Sequence, residues 1–436
     1  MLARCLAGDP PPALPPALLE ESCAPALFSI LVEGLADRFE PALCDAYVRL
    51  LASAIAQTAG DFDSAALEAR YQQVRRVRAV TVEARRVFVL SRVTLGADVA
   101  VTSVLLDAAK RRFPGARIVF VGPQKNYELF AGDARLEHAL VEYQRGSLRN
   151  RLAVWSELRA LCSAAYALVL DPDSRLTQLG LLPICPDERY HLFESRAYGG
   201  TSEPSRLPLA HAHGSEASFR SRAQRAHREG AVADSNASIA TSGQSLPELA
   251  TAWARETLGI EGARPYLALA MPAQSPAGLT VSLGVGENPA KRLPDPFEEK
   301  LLALLAATGL PLTVDKGAGG EEAARVERAC HRAGIQATFW GGSFAGFAGL
   351  IATSRLYVGY DSAGQHVAAA AGVPLISIFA GFPAPRMFDR WRPTTPTAHV
   401  IRVDRPDVEG TLARVQEALA AVEISRLGPR AGADKL

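Results

Sequence analysis

The sequence lacks an excess of one charge and lacks any long apolar run. Its 436 residues include 47 Lys and Arg against 46 Asp and Glu, so no global field would draw the chain to nucleic acid or to an anionic membrane. No stretch comes near the roughly 18 uncharged apolar residues of a membrane helix. Prolines interrupt the N-terminal "MLARCLAGDPPPALPPALL", where a signal peptide has a continuous apolar segment. We therefore expect a soluble, cytoplasmic protein with no transmembrane segment and no nucleic-acid partner.

Disulfide and metal-binding patterns are also missing. No two cysteines form a C-x-x-C pair, and such scattered cysteines are typical of reduced, buried thiols. The cysteines are Cys5, Cys23, Cys44, Cys162, Cys185 and Cys330. His211 and His213 stand in a polar segment without acidic or cysteine partners, which argues against a metal role. The D-x-D pattern at Asp171 and Asp173, with which many sugar transferases hold a divalent ion, contains Pro172 and follows an apolar run. We interpret it as a loop and predict no metal site.

What the chain has instead is an alternation of short apolar runs and helical patterns that begins at Arg86. "RRVFVLSRV", "ARIVFVGP" and "YALVLDP" predict strands, and a second series predicts strands at "YLALAM", "LTVSLGVG", "LPLTVDKG", "ATFWGG", "RLYVGYDS", "PLISIFAG" and "HVIRVD". Short links between strands and helices predict right-handed crossovers and parallel sheets covered on both faces. The fold class is therefore α/β, with two doubly wound, Rossmann-like domains.

The composition also suggests where these domains begin and end. Helical spacing dominates the N-terminal region, and a Ser-, His- and Arg-rich segment separates the two strand series. The predicted units are a helical extension at 1–80, a first α/β domain at 81–201, a linker or mobile loop at 202–247, a second α/β domain at 248–425 and a tail at 426–436. The N-terminal helices are also the candidate surface for self-association.

The stretch "YVGYDSAGQHVAAAAGVPLISIFAG" carries polar residues at its only break. Asp361 follows a predicted strand, and the next residues open a helix whose first turn offers unpaired N–H groups and the positive end of the helix dipole. Ser362 adds a hydroxyl, Gly364 permits close approach, and His366 falls in the same turn. Helix capping alone explains the acid and the serine. It does not require a histidine, so we favour a phosphate-binding turn.

Two further turns are candidates for chemistry. In "TVSLGVGENPAKRLPDP" a glycine-containing loop with Gly284 follows a strand and leads to Lys291 and Arg292, which suits a diphosphate; a solvated basic pair is the alternative. The first strand of the first domain leads into "SRVTLGADVAVTS", which has no G-x-G-x-x-G pattern and so gives little support for dinucleotide binding. Its only acid, Asp98, is either an ordinary first-turn acid or a base that projects into the cleft between the domains.

Together these segments resemble the GT-B glycosyltransferases of family 9, the ADP-heptose–lipopolysaccharide heptosyltransferases and their relatives, over roughly residues 86–404. "YDSAGQHVAAAAGVP" resembles that family's D-S-G-x-x-H and Ala-rich helix, and "KRLPDPFEEKL" resembles its K-R-W-P loop. "LPLTVDKGAGGEEAARVERA" resembles its nucleoside-binding strand and loop, and "SRVTLGADVAVTS" its opening S-x-G-D turn. One departure is that Ala97 separates Gly96 from Asp98. An extra residue rotates a side chain by about 100° on a helix.

The resemblance implies an inverting, metal-independent transferase of GT-B architecture. It would move a sugar from a nucleotide-diphosphate donor, by resemblance ADP-heptose, to a hydroxyl of a glycan, protein or small-molecule acceptor. The donor is a substrate, and no cofactor is expected. Asp98 would be the general base, and Asp361 would orient the phosphate loop. The implied donor-binding residues are Gly284, Lys291, Arg292, Glu321, Asp361, Ser362, Ala363, Gly364 and His366. The alternatives are a non-catalytic nucleotide-sugar-binding or scaffolding relative and a same-fold epimerase or hydrolase.

Overall fold

The computed structural model describes residues 1–199, 243–270, 278–286, 288–317 and 319–422. Most of the predicted linker, with His211 and His213, and the tail at 426–436 lie outside these ranges, so those predictions are not addressed. Within the described residues, no helix is both long enough and apolar enough to cross a membrane. None of the six cysteines is in a disulfide, and four of them are buried.

The N-terminal region is helical, as its spacing predicts. Its helices are α1 (Leu2–Leu6), α2 (Glu33–Ala36), α3 (Pro41–Thr58) and α4 (Ser64–Val74), with a π-helical segment at Ala26–Val32 before α2. Asp63 caps α4 by accepting a hydrogen bond from the Ala66 N–H at 2.7 Å. The buried face of α3, with Tyr47 and Leu51, packs on Phe88 and Val169 of the first sheet. This extension therefore covers one face of the first domain.

The first sheet has five parallel strands in the order β3-β2-β1-β4-β5. They are β1 (Arg86–Leu90), β2 (Arg117–Gly122), β3 (Leu136–Leu140), β4 (Ala167–Asp171) and β5 (Tyr190–Leu192). The helices of this part are α5 (Leu95–Ala97), α6 (Ser103–Arg112), α7 (Gln124–Tyr127), α8 (Leu148–Leu152) and α9 (Trp155–Cys162). Next in the chain is α10 (Leu246–Leu258), which the predicted boundary at 248 assigns mostly to the second domain. It packs through Leu249 and Trp253 on the first domain, where α6 also lies.

The second sheet has six strands in the order β11-β10-β9-β6-β7-β8, again all parallel. They are β6 (Leu279–Ser282), β7 (Leu312–Asp315), β8 (Thr338–Trp340), β9 (Leu356–Tyr360), β10 (Leu375–Ala380) and β11 (Ala398–Val403). Its helices are α11 (Phe297–Ala306), α12 (Gly320–Arg332), α13 (Phe344–Thr353), α14 (Ala363–Ala370), α15 (Pro385–Trp391) and α16 (Val408–Ala421). The strand predicted at "YLALAM" is wrong over residues 266–270. There Ala268 instead exchanges backbone hydrogen bonds with Leu129 and Gly132 of the first domain.

The strand orders place one switch point in each sheet, between β1 and β4 in the first and between β6 and β9 in the second. In open parallel sheets, ligands bind at the carboxyl ends of strands beside such points. The two switch points are close together. A Cβ atom added to Gly96, in α5 after β1, would lie 3.0 Å from Ala363 Cα and 3.1 Å from His366 Cδ2, in α14 after β9. The predicted cleft between the domains is therefore where both sets of strand-end residues lie.

Candidate active site

Lys291 and Asp361 form an ion pair. They lie in the segments that follow β6 and β9, which are neighbouring strands of the second sheet. Lys291 Nζ donates to Asp361 Oδ2 at 2.8 Å and to the Asp361 carbonyl at 3.1 Å. The Lys291 turn rests on Gly381, which has a φ of +67° and no room for a Cβ beside the Ala290 carbonyl. Because Asp361 is 5% exposed, the lysine has a fixed, largely buried anchor. The pair holds a cation at the mouth of α14.

Gln365 extends this arrangement, and the sequence analysis did not identify it. Its Nε2 donates to Asp361 Oδ1, and its Oε1 accepts from Ser377 Oγ at 2.5 Å. The serine lies on β10, next to β9 in the sheet. Asp361 thus has one oxygen on a cation and the other on a buried amide. The available signal was the spacing, since residues four apart lie on the same face of a helix.

The first turn of α14 presents backbone N–H groups beside this pair. Ser362 precedes the helix and does not cap it with its side chain; its Oγ lies 3.4 Å from the Tyr357 hydroxyl. Ala363 and Gly364 begin the helix, where N–H groups have no acceptor within the helix. A Cβ at Gly364 would overlap the Tyr357 hydroxyl, so Tyr357 requires this glycine. We predicted a glycine here because it leaves room for a ligand. Close packing against Tyr357 is a second reason for it.

His366 lies in the same turn and is 6% exposed. Burial lowers the pKa of its imidazole to about 4, with Asp361 opposing that shift, so the ring is neutral at pH 7. It can exchange hydrogen bonds with a phosphate but adds no charge. Its ring contacts Trp391 edge-to-face at 5.6 Å, and the Arg92 guanidinium carbon lies 5.9 Å from the centre of the Trp391 ring. Arg92 and Trp391, which the sequence analysis did not select, therefore link the two domains at the cleft.

Arg292 and Glu321 do not join the Lys291 pair. The Arg292 guanidinium pairs with Asp295 and, at 3.2 Å, with Glu298, so it is turned along its own loop. Glu321 is exposed in the first turn of α12. Its neighbour Glu322 instead reaches back, where its Oε1 accepts from the Val285 N–H at 3.0 Å beside Gly284. The placement of Arg292 differs from the prediction because nearby carboxylates compete for its charge.

Asp98 is completely buried at the end of β1, and four donors surround its carboxylate. Ser91 Oγ and Asn126 Nδ2 each donate to Oδ2 at 2.6 Å. The Arg92 N–H and Thr102 Oγ1 donate to Oδ1 at 2.7 and 2.6 Å. Burial raises the pKa of the carboxyl group, and these hydrogen bonds oppose that rise. The expectation that the Asp98 side chain projects into the cleft is therefore wrong for this structure, and its role as the general base stays a prediction.

The extra residue Ala97 is accommodated locally. A π-helical segment spans Asp98–Thr102 between α5 and α6, and a π turn holds one more residue than an α turn. Gly96 is the residue of this turn that meets α14, whereas Asp98 faces Ser91 and Asn126. The extra residue is therefore accommodated within the helix and not in the loop before it.

The D-x-D residues have protein partners. Asp171 accepts from Thr177 and Tyr190 hydroxyls at 2.5 Å each, and burial raises the pKa of its carboxyl to about 6. Asp173 pairs with Arg196 at 2.6 Å, at the cleft edge of β4. Over the described ranges, no group of three or more His, Cys, Asp or Glu side chains is placed to hold a metal ion. These acids therefore organise the end of the first sheet.

Comparisons with known proteins agree with this geometry. Residues 280–412 match the family described as Glycosyltransferase family 9 (heptosyltransferase). The structure of E. coli heptosyltransferase WaaC with ADP has a TM-score of 0.53 and 16% identity, covering 77% of this chain and 99% of that chain. WaaC with ADP-2-deoxy-2-fluoro heptose gives a TM-score of 0.51 and 15% identity, covering 78% and 99%. The structure of E. coli ADP-heptose lps heptosyltransferase II has a TM-score of 0.49 and 18% identity, covering 79% of this chain and 100% of that chain. None of the curated proteins matches the sequence.

Two Rossmann-like parallel sheets whose carboxyl ends meet at one cleft define the GT-B architecture, which the likeness to the WaaC fold supports. The family resemblance predicted from the motifs is also confirmed. The match to glycosyltransferase family 9 covers residues 280–412, which lie in the second domain of the GT-B fold.

Proposed function

We propose that the protein transfers a sugar from a nucleotide-diphosphate donor to an acceptor hydroxyl, with inversion at the anomeric carbon. The observation that carries this proposal is the Lys291–Asp361 ion pair at the open first turn of α14, beside the switch point of the second sheet. A cation next to unpaired N–H groups suits a diphosphate, the group that leaves when a nucleotide sugar reacts. The family match over the same domain supports this reading.

In this proposal Lys291 and the N–H groups of Ala363 and Gly364 neutralise the diphosphate as charge develops on the leaving oxygen. Ser362 and the neutral His366 supply further hydrogen bonds. Asp361 holds Lys291 in place through their 2.8 Å contact. The loops that contain Gly284 and Glu321 follow β6 and β7, and Glu321 would reach the ribose. Arg292 would have to leave Asp295 and Glu298 to take part.

ADP-heptose is the donor we propose, because the matched family is described as heptosyltransferases and WaaC was solved with ADP and with an ADP-heptose analogue. The acceptor is a glycan, a protein or a small molecule. We propose that no divalent ion is needed, since the cation at the donor site is a lysine and the acids of the D-x-D segment already bind Thr177, Tyr190 and Arg196.

A thermal-shift screen of nucleoside diphosphates and nucleotide sugars tests the donor. A ligand at 100 times its Kd should stabilise the folded protein by about 2.7 kcal/mol. ADP and ADP-heptose should raise Tm, with and without chelator, whereas a requirement for manganese or magnesium would contradict the metal-free proposal. Release of ADP from ADP-heptose, measured with and without candidate acceptors, separates a transferase from a hydrolase.

The second candidate function is a non-catalytic nucleotide-sugar-binding module. The closed hydrogen-bond network around Asp98 favours it, because this carboxylate has no oxygen free to accept an acceptor proton. A wild-type protein that binds ADP-heptose and yet releases no ADP with any acceptor, water included, would support this second function.

A further inference from the structure

The amide of Gln365 is held in one orientation behind the proposed donor site, and the residue is fully buried. Its Oε1 accepts from Ser377 Oγ at 2.5 Å on β10. On the other side, its Nε2 donates to Asp361 Oδ1, and the Trp391 carbonyl oxygen lies 3.3 Å away at the end of α15. Because an ionised carboxylate and a carbonyl oxygen can only accept, the NH2 group must face them. The partners on both sides therefore fix the amide.

This fixed amide restrains the carboxylate that holds Lys291. Gln365 occupies Asp361 Oδ1, and the other oxygen, Oδ2, accepts from Lys291 Nζ at 2.8 Å. With one oxygen held from behind, the carboxylate can present the other in only one direction. Ligand-binding groups keep a productive geometry when hydrogen bonds from a surrounding layer lock their side chains. The position of the Lys291 ammonium thus depends on a residue that does not contact it.

The same amide constrains His366, whose Nε2 lies 3.4 Å from Gln365 Nε2. An amide nitrogen donates hydrogen bonds and does not accept them, so the ring nitrogen that faces it carries a lone pair. The proton of the neutral imidazole is then on Nδ1. Gln365 therefore acts on two of the groups that are proposed to bind the diphosphate.

We propose that Gln365 is a positioning residue of the donor site, whose amide orients Asp361, and through it Lys291, to bind a nucleoside diphosphate. This inference rests on the proposed function, because it takes the diphosphate to bind at the first turn of α14. The titratable groups that face the amide are Asp361 from the end of β9, with its partner Lys291, and His366 from α14. The contacts of the amide on β10 and α15, a hydroxyl and a carbonyl oxygen, are uncharged.

Gln365→Glu keeps the shape of the side chain and tests this role through pH. Two carboxyl groups that share a site do not both ionise readily, so at low pH the pair keeps a proton and with it a hydrogen bond. As the pH rises, that proton is lost and a second negative charge stands behind Lys291. The Kd for ADP is measured by calorimetry from pH 5 to 8 and divided by the wild-type Kd at the same pH. We expect this ratio to rise by about 10–100-fold from pH 5 to pH 8.

Three further variants accompany this measurement. Gln365→Met is similar in size but makes no hydrogen bond, and it should weaken ADP binding by about 10-fold at every pH. Ser377→Ala removes only the bond that anchors the amide and should weaken ADP binding by about 2–10-fold. Gln416→Glu, at an exposed position of α16, is the matched control and should bind ADP as the wild type does.

The outcomes separate this inference from the proposed function. A Gln365→Glu ratio that stays constant from pH 5 to 8, even with a lower Tm, would overturn the positioning role and leave Gln365 as a structural residue. If the Gln365 variants do not fold, Ser377→Ala decides, and wild-type ADP affinity in that variant would overturn the inference. A wild type that binds no ADP would remove the proposed donor site, and the inference would fall with it. Melting curves at each pH restrict the comparison to folded protein.

Discussion

In the first domain, the turn after β1 places Asp98 at the strand end; in the second, the turn after β9 places Asp361 at the equivalent position. Asp98 is held by a serine, a threonine, an asparagine and a backbone N–H, all of them neutral donors. Asp361 is held by a lysine and a glutamine and lies beside an open helix end. Both turns thus place an acid at a strand end, but their chemistry differs. The side chains that donate hydrogen bonds to each acid decide which turn can receive a ligand.

The largest effect should come from removing the cation of the second turn. In Lys291→Met the proposed diphosphate site loses the cation that pairs with Asp361, and the buried Asp361 loses that charged partner. We expect sugar transfer to fall by about 10²–10³-fold, the size seen when one stabiliser of a developing negative charge is removed. ADP affinity, measured by calorimetry, should fall as well.

Lys300→Met is the control for this change, because Lys300 is exposed on α11 and pairs with Glu409 far from the first turn of α14. It should leave ADP affinity at the wild-type value. An unchanged ADP affinity in Lys291→Met would contradict the assignment of the diphosphate to this turn.

The next largest effect concerns the turn after β1, which contains Asp98. In Asp98→Asn, an NH2 group replaces a carboxylate oxygen that accepts two of the four hydrogen bonds donated to Asp98. We expect the free energy of unfolding to fall by about 1–3 kcal/mol, the range for leaving a buried polar group unsatisfied. Chemical denaturation measures it, with Asp107→Asn on α6 as the control, since Asp107 is only partly buried.

The same variant decides the predicted base role of Asp98. If Asp98 is the base, transfer per folded molecule falls by about 10²–10⁴-fold while ADP affinity stays nearly unchanged. A drop in stability, with transfer per folded molecule close to wild type, would leave Asp98 as a structural residue.

These two turns also show what a single sequence can reveal. The apolar runs of β1 and β9 are long enough to predict buried parallel strands, and an acid at each strand end follows from them. Strands β3 and β5 escaped prediction because one carries Glu137 and His138 and the other has only three residues. Side-chain direction could not be derived, because it depends on partners that are not neighbours in the chain: Asn126 for Asp98 and Ser377 for Gln365.

A smaller effect should appear in the pH dependence of stability. The pKa of His366 is about 4 in the folded protein and about 6.5 in an unfolded chain. Between these values the unfolded chain binds a proton that the folded protein does not, so the stability contributed by neutral His366 is complete above pH 6.5 and is lost as the pH falls towards 4. The slope is at most about 1.4 kcal/mol per pH unit.

Other groups titrate nearby: His191, with a pKa of about 4, acts in the same direction, and Asp171, with a pKa of about 6, acts in the opposite one. The measurement is therefore the difference in unfolding free energy between wild type and His366→Gln at several pH values from 4 to 7. The wild type should lose stability relative to His366→Gln as the pH falls, and His331→Gln, at an exposed position of α12, is the control substitution. A constant difference for His366→Gln would mean that its ring is not held neutral by burial.

The smallest effect should come from Gly96, where the two turns meet. A Cβ in Gly96→Ala would press on Ala363 Cα at 3.0 Å and on His366 Cδ2 at 3.1 Å, so the neighbours must yield by a few tenths of an ångström. Overpacking of this kind costs about 1 kcal/mol or somewhat more. Because the strain falls between the turn that holds Asp98 and the turn proposed to bind the donor, transfer should drop more than ADP affinity does. Gly115→Ala, where an added Cβ meets nothing within 4 Å, is the control. Transfer in Gly96→Ala as high as in Gly115→Ala would show that Gly96 is replaceable and that the contact between the turns does not set the geometry of the cleft.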